Sequence, residues 1–358
     1  MATHAAVATV GLKQHLAIIQ VPTIKPQADE VRVHVEWTAS TPLDLHQNDG
    51  GLLVKPPQVL GDGTAGTVIE VGPGVKRLKV GDKVFGFTWR EQKEKAHQEF
   101  CTAPEWLLGL LPKGFTLAEA VTLPNNFVTV FHALTADLNI ELPWPKPVNY
   151  IPRGADEGVL IWGGSSSVGQ FAIQILKYYG YTKILTTASK RHHEKLRSFG
   201  AEFTFDYRDL HVVDDILNAE RVSLVLDCIG SFQGSIKKIA RIAKSESRVA
   251  ILLPVIVRDS NEDVGPIYEM DVKKGVDWEN GIDVRGVRTH SYLDHNEFFK
   301  YHLQADIMPT MLKERIVEPN NQKIIEGKTM LVRAQEAMNV LRRKGASGER
   351  LVWRVSDM

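Results

Sequence analysis

Val159-Leu-Ile-Trp-Gly-Gly-Ser-Ser-Ser-Val-Gly169 is an apolar strand that runs directly into a turn of small residues. Gln170-Phe-Ala-Ile-Gln-Ile-Leu-Lys177 continues it with helical spacing. A turn with little side chain between a buried strand and a helix lets backbone N–H groups approach a pyrophosphate, with the positive end of the helix dipole behind them. The stretch predicts a dinucleotide cradle built from Gly163, Gly164, Ser165, Ser166, Ser167, Val168 and Gly169, and hence an oxidoreductase. Ser166 occupies the place of the middle glycine in G-x-G-x-x-G, so a purely structural strand-to-helix turn is the alternative. A nucleophile elbow, G-x-S-x-G, is excluded, because Ser167 and Val168 stand where its closing glycine is required.

Outward from this turn the pattern alternates strand and helix. Strands are expected at Val159–Trp162, Lys183–Thr187, Glu202–Phe205, Leu224–Cys228, Arg248–Leu253 and Asp283–Arg288, with helices that include Gln170–Tyr179 and His192–Phe199. That rhythm predicts a doubly wound parallel sheet. The first third differs. Val31-Arg-Val-His-Val-Glu-Trp37 alternates with period two, Gly61-Asp-Gly-Thr-Ala-Gly66 is a glycine-dense turn, and further short strands follow at Thr67–Val71 and Val80–Phe85. Short strands with regular turn signals predict a partly closed antiparallel barrel. A helix is expected from Phe127, capped by Asn125 and Asn126. The Pro-rich stretch from Leu142 to Pro152 is expected to be an exposed connector, and the tail from Ile316 to Val355 to rejoin the first domain. The segment 255–282 is long and polar for a loop, and is expected to be a lid or an insert.

With 358 residues the chain can hold two domains. Forty-three Lys and Arg balance 43 Asp and Glu, which gives no global basic field for nucleic acid. No run of about 18 apolar residues predicts a membrane span, and the N-terminus lacks the pattern of a secretory signal, so a cytoplasmic location is expected. Cys101 and Cys228 are far apart and read as ordinary thiols.

Five ordered segments together resemble the medium-chain dehydrogenase/reductase superfamily: Gly61–Val75 with Val80–Val84, Gly163–Gly169, Phe199–Tyr207, Asp227–Gly230 and Leu341–Trp353. The resemblance implies a GroES-like catalytic domain, residues 1–127 and 311–358, and a Rossmann dinucleotide-binding domain, residues 128–310. Zinc-dependent members carry a catalytic Cys, a Gly-His-Glu motif and a four-cysteine lobe. Here Ala39-Ser-Thr-Pro42 and Asp62 stand in the first two places, and the lobe region offers only Cys101. Two isolated cysteines cannot build a soft-ligand zinc site, so no metal is expected. The remainder is similar to the zinc-independent quinone oxidoreductases and enoyl reductases, and most similar to fungal-type trans-acting enoyl reductases.

Past the second strand no acid stands at the tip where a ribose 2′-OH would be held. Ser189, Lys190, Arg191 and His192 offer donors and positive charge for a 2′-phosphate instead. The resemblance places Tyr207 beside the same phosphate, and the cofactor expected is NADPH. A solvated basic helix start is the alternative. The resemblance also aligns Thr41–His46 with the nicotinamide loop. It makes His46 a candidate proton or hydrogen-bond donor, Thr129 a contact to nicotinamide and carbonyl, and Asp44 an organiser of the loop. A surface histidine, and a threonine bonded back to its own helix, are the plain alternatives. The activity implied is hydride transfer to the β-carbon of an enone or enoyl thioester, and a trans-acting partnership with a carrier protein stays open. A quinone reductase, or a non-catalytic NADPH-binding protein, would share these residues. Monomer and homodimer stay open.

Overall fold

The computed structural model describes residues 2–356, and two large sheets organise them. One is parallel and six-stranded, in the spatial order Phe203–Phe205, Ile184–Thr187, Gly158–Trp162, Val222–Asp227, Arg248–Leu252, Asp283–Val287. This is the doubly wound order, in which the chain turns back at its first strand and leaves a crevice beyond the strand ends. Alternation along Gly158–Trp162 explains both layers. Val159 and Ile161 join a core with Phe171 and Ile175 of the helix Ser167–Tyr179, whereas Leu160 and Trp162 join the opposite core with Ile216, Ile236 and Ile239. Both faces are covered, so the strand is buried throughout.

The second sheet has seven strands, and the eleven-residue strand Glu30–Ser40 is its spine. Gly63–Val71 pairs along most of it. Phe100–Pro104 pairs with its first half and Glu349–Arg354 with its second. The tail thus returns to the first sheet as expected, through Asn321–Ile324, the helix Met330–Arg342 and Glu349–Arg354. A three-stranded sheet of Ala17–Pro22, Thr3–Thr9 and Gln58–Val59 bridges to it between Ala6 and Gln98. Divisions of the chain at 127 and 310 fall inside the helices Pro124–His132 and Met308–Lys313, so continuous helices join the two sheets.

Two local expectations are corrected. The glycine-dense turn is confined to Gly61 and Asp62; Gly63–Val71 is already strand, because pairing on both edges outweighs the local turn signal. Asn125 and Asn126 do not cap their helix. It begins at Pro124, whose fixed φ suits the first helical position, and the two asparagines lie in its first turn with side chains free to reach elsewhere. Segment 255–282 contains a hairpin, Val255–Arg258 with Ile267–Glu269, that lies against the helix Pro42–Gly50.

Candidate functional site

The turn after Trp162 is held from the neighbouring strand. Gly163 N–H donates to Thr187 Oγ1 at 3.0 Å and Gly164 N–H to the Thr187 carbonyl at 2.9 Å. A Cβ on Gly164 would overlap Thr186 Oγ1, and one on Gly169 would stand 2.6 Å from the Gly163 carbonyl oxygen, so both positions accept only glycine without movement. Ser166, at the place of the middle glycine, is the N-cap: its Oγ accepts the Gly169 N–H at 3.1 Å. Ser167 and Val168 amides have no hydrogen-bond partner among the described residues. Two free amides at the positive end of a thirteen-residue helix, above a turn stripped of side chains, fit a pyrophosphate.

The remaining turn groups tie the two sheets together. Ser167 Oγ accepts from Asn126 Nδ2 at 2.7 Å and donates to Asn320 Oδ1. Asn320 Nδ2 donates to Gln170 Oε1, and Gln170 Nε2 donates to the carbonyls of Ser165 and Gly348. Sequence reasoning missed this network; the asparagine pair was its one visible trace.

At the next strand tip, Ser189 begins the short turn Lys190–His192. Lys190 and Arg191 are exposed, and Lys190 lines a cavity of about 420 Å³ with His193, Arg197 and Asp206. Asp206 is engaged by Arg208 at 2.8 Å, which holds its carboxyl down at about 2. His192 is less free than the other three: Nε2 lies 3.0 Å from Ser347 Oγ, and burial with the adjacent Arg191 charge lowers its pKa. Tyr207 is exposed, with the Arg208 guanidinium 5.5 Å from its ring centroid.

A cleft of about 700 Å³ opens between the sheets, with Gln47, Trp89, Arg90, Lys95 and His290 in its wall. Thr289, beside His290, carries a hydroxyl 3.0 Å from that of Thr129. Thr129 also donates to the Asn125 carbonyl at 2.7 Å, the back-bond of the plain alternative, so its hydroxyl serves the helix and the junction together. Asp44 orders the loop: its carboxylate accepts Thr41 N–H at 2.8 Å and Gly61 N–H at 3.1 Å. His46 does not stand free at the cleft. Nδ1 is 2.7 Å from Tyr268 Oη, and burial pushes its pKa down to about 4. Asp62 is buried beside Asp44 and raised to about 7 by burial and by that neighbour, against the opposing pull of Lys95 and Arg350.

Known proteins resemble this chain in sequence and fold. Residues 27–133 match the alcohol dehydrogenase GroES-like domain, and residues 167–252 the family described as zinc-binding dehydrogenase. A trans-enoyl reductase of Aspergillus japonicus is 33% identical over 56% of this chain and 59% of its own length. A second, from Aspergillus terreus, is 34% identical over 57% of this chain and 68% of its own. The chain thus spans somewhat more than half the length of such relatives. The CurK enoyl reductase shares the fold, with a TM-score of 0.73 at 19% identity over 98% of each chain. No helix among the described residues is long and apolar enough to cross a membrane. Matched in both sheets, and aligned with a trans-enoyl reductase over two thirds of that enzyme, the chain belongs to the medium-chain dehydrogenase/reductase superfamily of oxidoreductases, whose members bind a nicotinamide cofactor.

Proposed function

We propose that the protein is an NADPH-dependent reductase of α,β-unsaturated carbonyl compounds, enones or enoyl thioesters, with residues 1–127 and 311–358 as its catalytic part and 128–310 as its cofactor part. One observation carries this: the glycine-serine cradle adjoins the same intersheet junction as the Thr129–Thr289 hydroxyl pair, at the edge of a cleft. Its trans-enoyl reductase relatives favour the substrate class.

The free amides of Ser167 and Val168 would hold the pyrophosphate, and Ser189, Lys190 and Arg191 the 2′-phosphate, with Tyr207 at its side. The bound cofactor supplies the hydride. Negative charge then collects on the carbonyl oxygen, and Thr129 directs a hydroxyl toward it. In this state its proton is donated to the Asn125 carbonyl, so substrate binding would exchange that bond for one to the substrate's carbonyl oxygen. His46, neutral and paired with Tyr268, shapes the loop wall rather than titrating. Trp89, stacked on Phe87 with centroids 4.0 Å apart, gives the cleft an aromatic face.

NADPH oxidation against a panel of enones, enoyl thioesters and naphthoquinones tests the assignment. Reduction of the activated double bonds in preference to the quinones is expected. Equal efficiency with NADH would overturn the cofactor assignment, and quinone turnover alone would overturn the substrate class.

A further inference from the structure

The cleft wall contains a charged side chain that the proposed mechanism does not use. Lys95 is buried, with 9% of its surface exposed, yet it lines the cleft. Its ammonium makes no ion pair or hydrogen bond among the described residues. The chain holds it in place by backbone contacts instead: Ala96 N–H donates to the Gly61 carbonyl and His97 N–H to that of Leu60, each at 3.0 Å, and Gln98 Nε2 donates to the Lys95 carbonyl at 2.8 Å. This seats Lys95 against the turn that carries Asp62.

The charged and titratable groups around it come from every adjoining element. Glu94 precedes it, Asp62 and Asp44 lie on the Gly61 side, and His97, His290 and Arg350 close the cluster; Arg90 and Glu91 share the cleft wall. Arg350 Nε and both nitrogens of His97 are buried without partners, so the cluster is not a saturated network. Asn125 links it to the candidate catalytic threonine. Its Nδ2 lies 3.3 Å from Asp62, and its carbonyl accepts the Thr129 hydroxyl. A buried lysine facing both a cleft and a carboxylate has the placement of a general acid.

We propose that Lys95 is the proton donor of the reduction, recharged from water in the cleft. This rests on the enone reading above. Reduced nicotinamide delivers two electrons and a proton equivalent as hydride to the β-carbon. The Nζ–H bond of Lys95 then breaks and the α-carbon–H bond forms, which turns the enolate into the saturated carbonyl. The neutral amine then regains a proton from water in the cleft, which Lys95 lines. Burial lowers the ammonium pKa, the direction that favours release of its proton.

The test uses Lys95→Met and Lys95→Arg with crotonyl-N-acetylcysteamine as substrate. NADPH affinity, read by fluorescence titration, serves as the control for folding. Lys95→Met is expected to lower kcat by about 100-fold, a typical share for one general acid, with NADPH affinity kept. The basic limb of the wild-type kcat profile should vanish in Lys95→Met and move to higher pH in Lys95→Arg. In heavy water the wild type should place deuterium on one face of the α-carbon, and Lys95→Met on both. A merely structural lysine would leave the limb and the facial outcome unchanged. Wild-type-like kcat, limb and facial selectivity in both variants would overturn the proposal while leaving enone reduction intact. Should Lys95→Met lose NADPH binding, Lys95→Arg decides: unchanged kcat with an unmoved limb overturns the proposal, and a moved limb sustains it. Absence of any enone turnover by the wild type would remove the parent reading and this inference with it.

Discussion

Gly164→Ala is the sharpest test of the cradle. The new Cβ would overlap Thr186 Oγ1 and stand 3.0 Å from Thr186 Cβ and 3.3 Å from Ile173 Cδ1. Rotation of Thr186 gives relief only in the one rotamer that turns its Cβ hydrogen toward Gly164. Its hydroxyl is also fully buried and donates to the Ile161 carbonyl at 2.8 Å. Overpacking a tight site costs about 1–3 kcal/mol. Loss of the buried hydrogen bond adds about 0.5–1.5 kcal/mol, for a total of about 2–4 kcal/mol. The strain also reaches the cofactor site, since Gly164 Cα already lies 2.6 Å from where a Cβ on Gly169 would be, and a displaced helix start withdraws its free amides. Urea unfolding without cofactor should show the loss of stability, and titration should show NADPH affinity weakened by about 10-fold, or about 1.4 kcal/mol. Adding Thr186→Ala removes the overlapping oxygen and should return at least about 1 kcal/mol in a double-mutant cycle. A Gly164→Ala protein within about 0.5 kcal/mol of wild type, the ordinary range for an innocuous surface change, would refute the close packing of this turn. So would zero coupling to Thr186→Ala.

Lys190→Ala with Arg191→Ala should weaken NADPH binding by about 10-fold or more, the scale of charge-assisted hydrogen bonds, and leave NADH binding nearly unchanged; an equal loss for both cofactors would count against a 2′-phosphate site. Thr129→Val removes the bond to Thr289 and should cost about 1 kcal/mol of stability, with a larger loss in kcat than in KM; unchanged kcat would remove Thr129 from the site. Tyr268→Phe releases His46 Nδ1 and should loosen the 255–269 hairpin, read as faster limited proteolysis there; unaltered cleavage would mean that Ser260 and Asp49 hold it alone. Asp62 is raised from 3.8 to about 7 in the fold, so the native state holds more protons than the unfolded chain between those values, and stability falls as pH rises through that window. Asp62→Asn should flatten that slope in urea midpoints measured from pH 4 to 7, and a slope unaltered in the variant would assign it to other groups.

The cradle was legible because every part of it is local. An apolar run, two glycines and a Ser N-cap prescribe strand, turn and helix within eleven residues, and the apolar alternation of Val159–Trp162 already separates two core faces. The parallel sheet and its strand spans were legible for the same reason, as was the return of the tail. The asparagines were misread because Pro124 moves the helix start ahead of them. The surroundings of His46 were not legible: a pKa near neutrality belongs to an exposed imidazole, and only the assembled fold buries this one.

The amino-acid order by itself determined the class of fold, the place of the glycine-serine turn and the scarcity of cysteine, since each follows from backbone preference, side-chain size or residue type. The tertiary structure alone decided which groups meet. Thr129 finds Thr289 across 160 residues, His46 finds Tyr268 across 222, and Ser167 finds Asn320 across 153. It also placed Lys95 between a cleft and two buried carboxylates. Periodicity says which face of an element is buried but not which distant side chain will bury it, and desolvation, which sets the charge of Asp62, Lys95 and His46, comes into being only when those surfaces close.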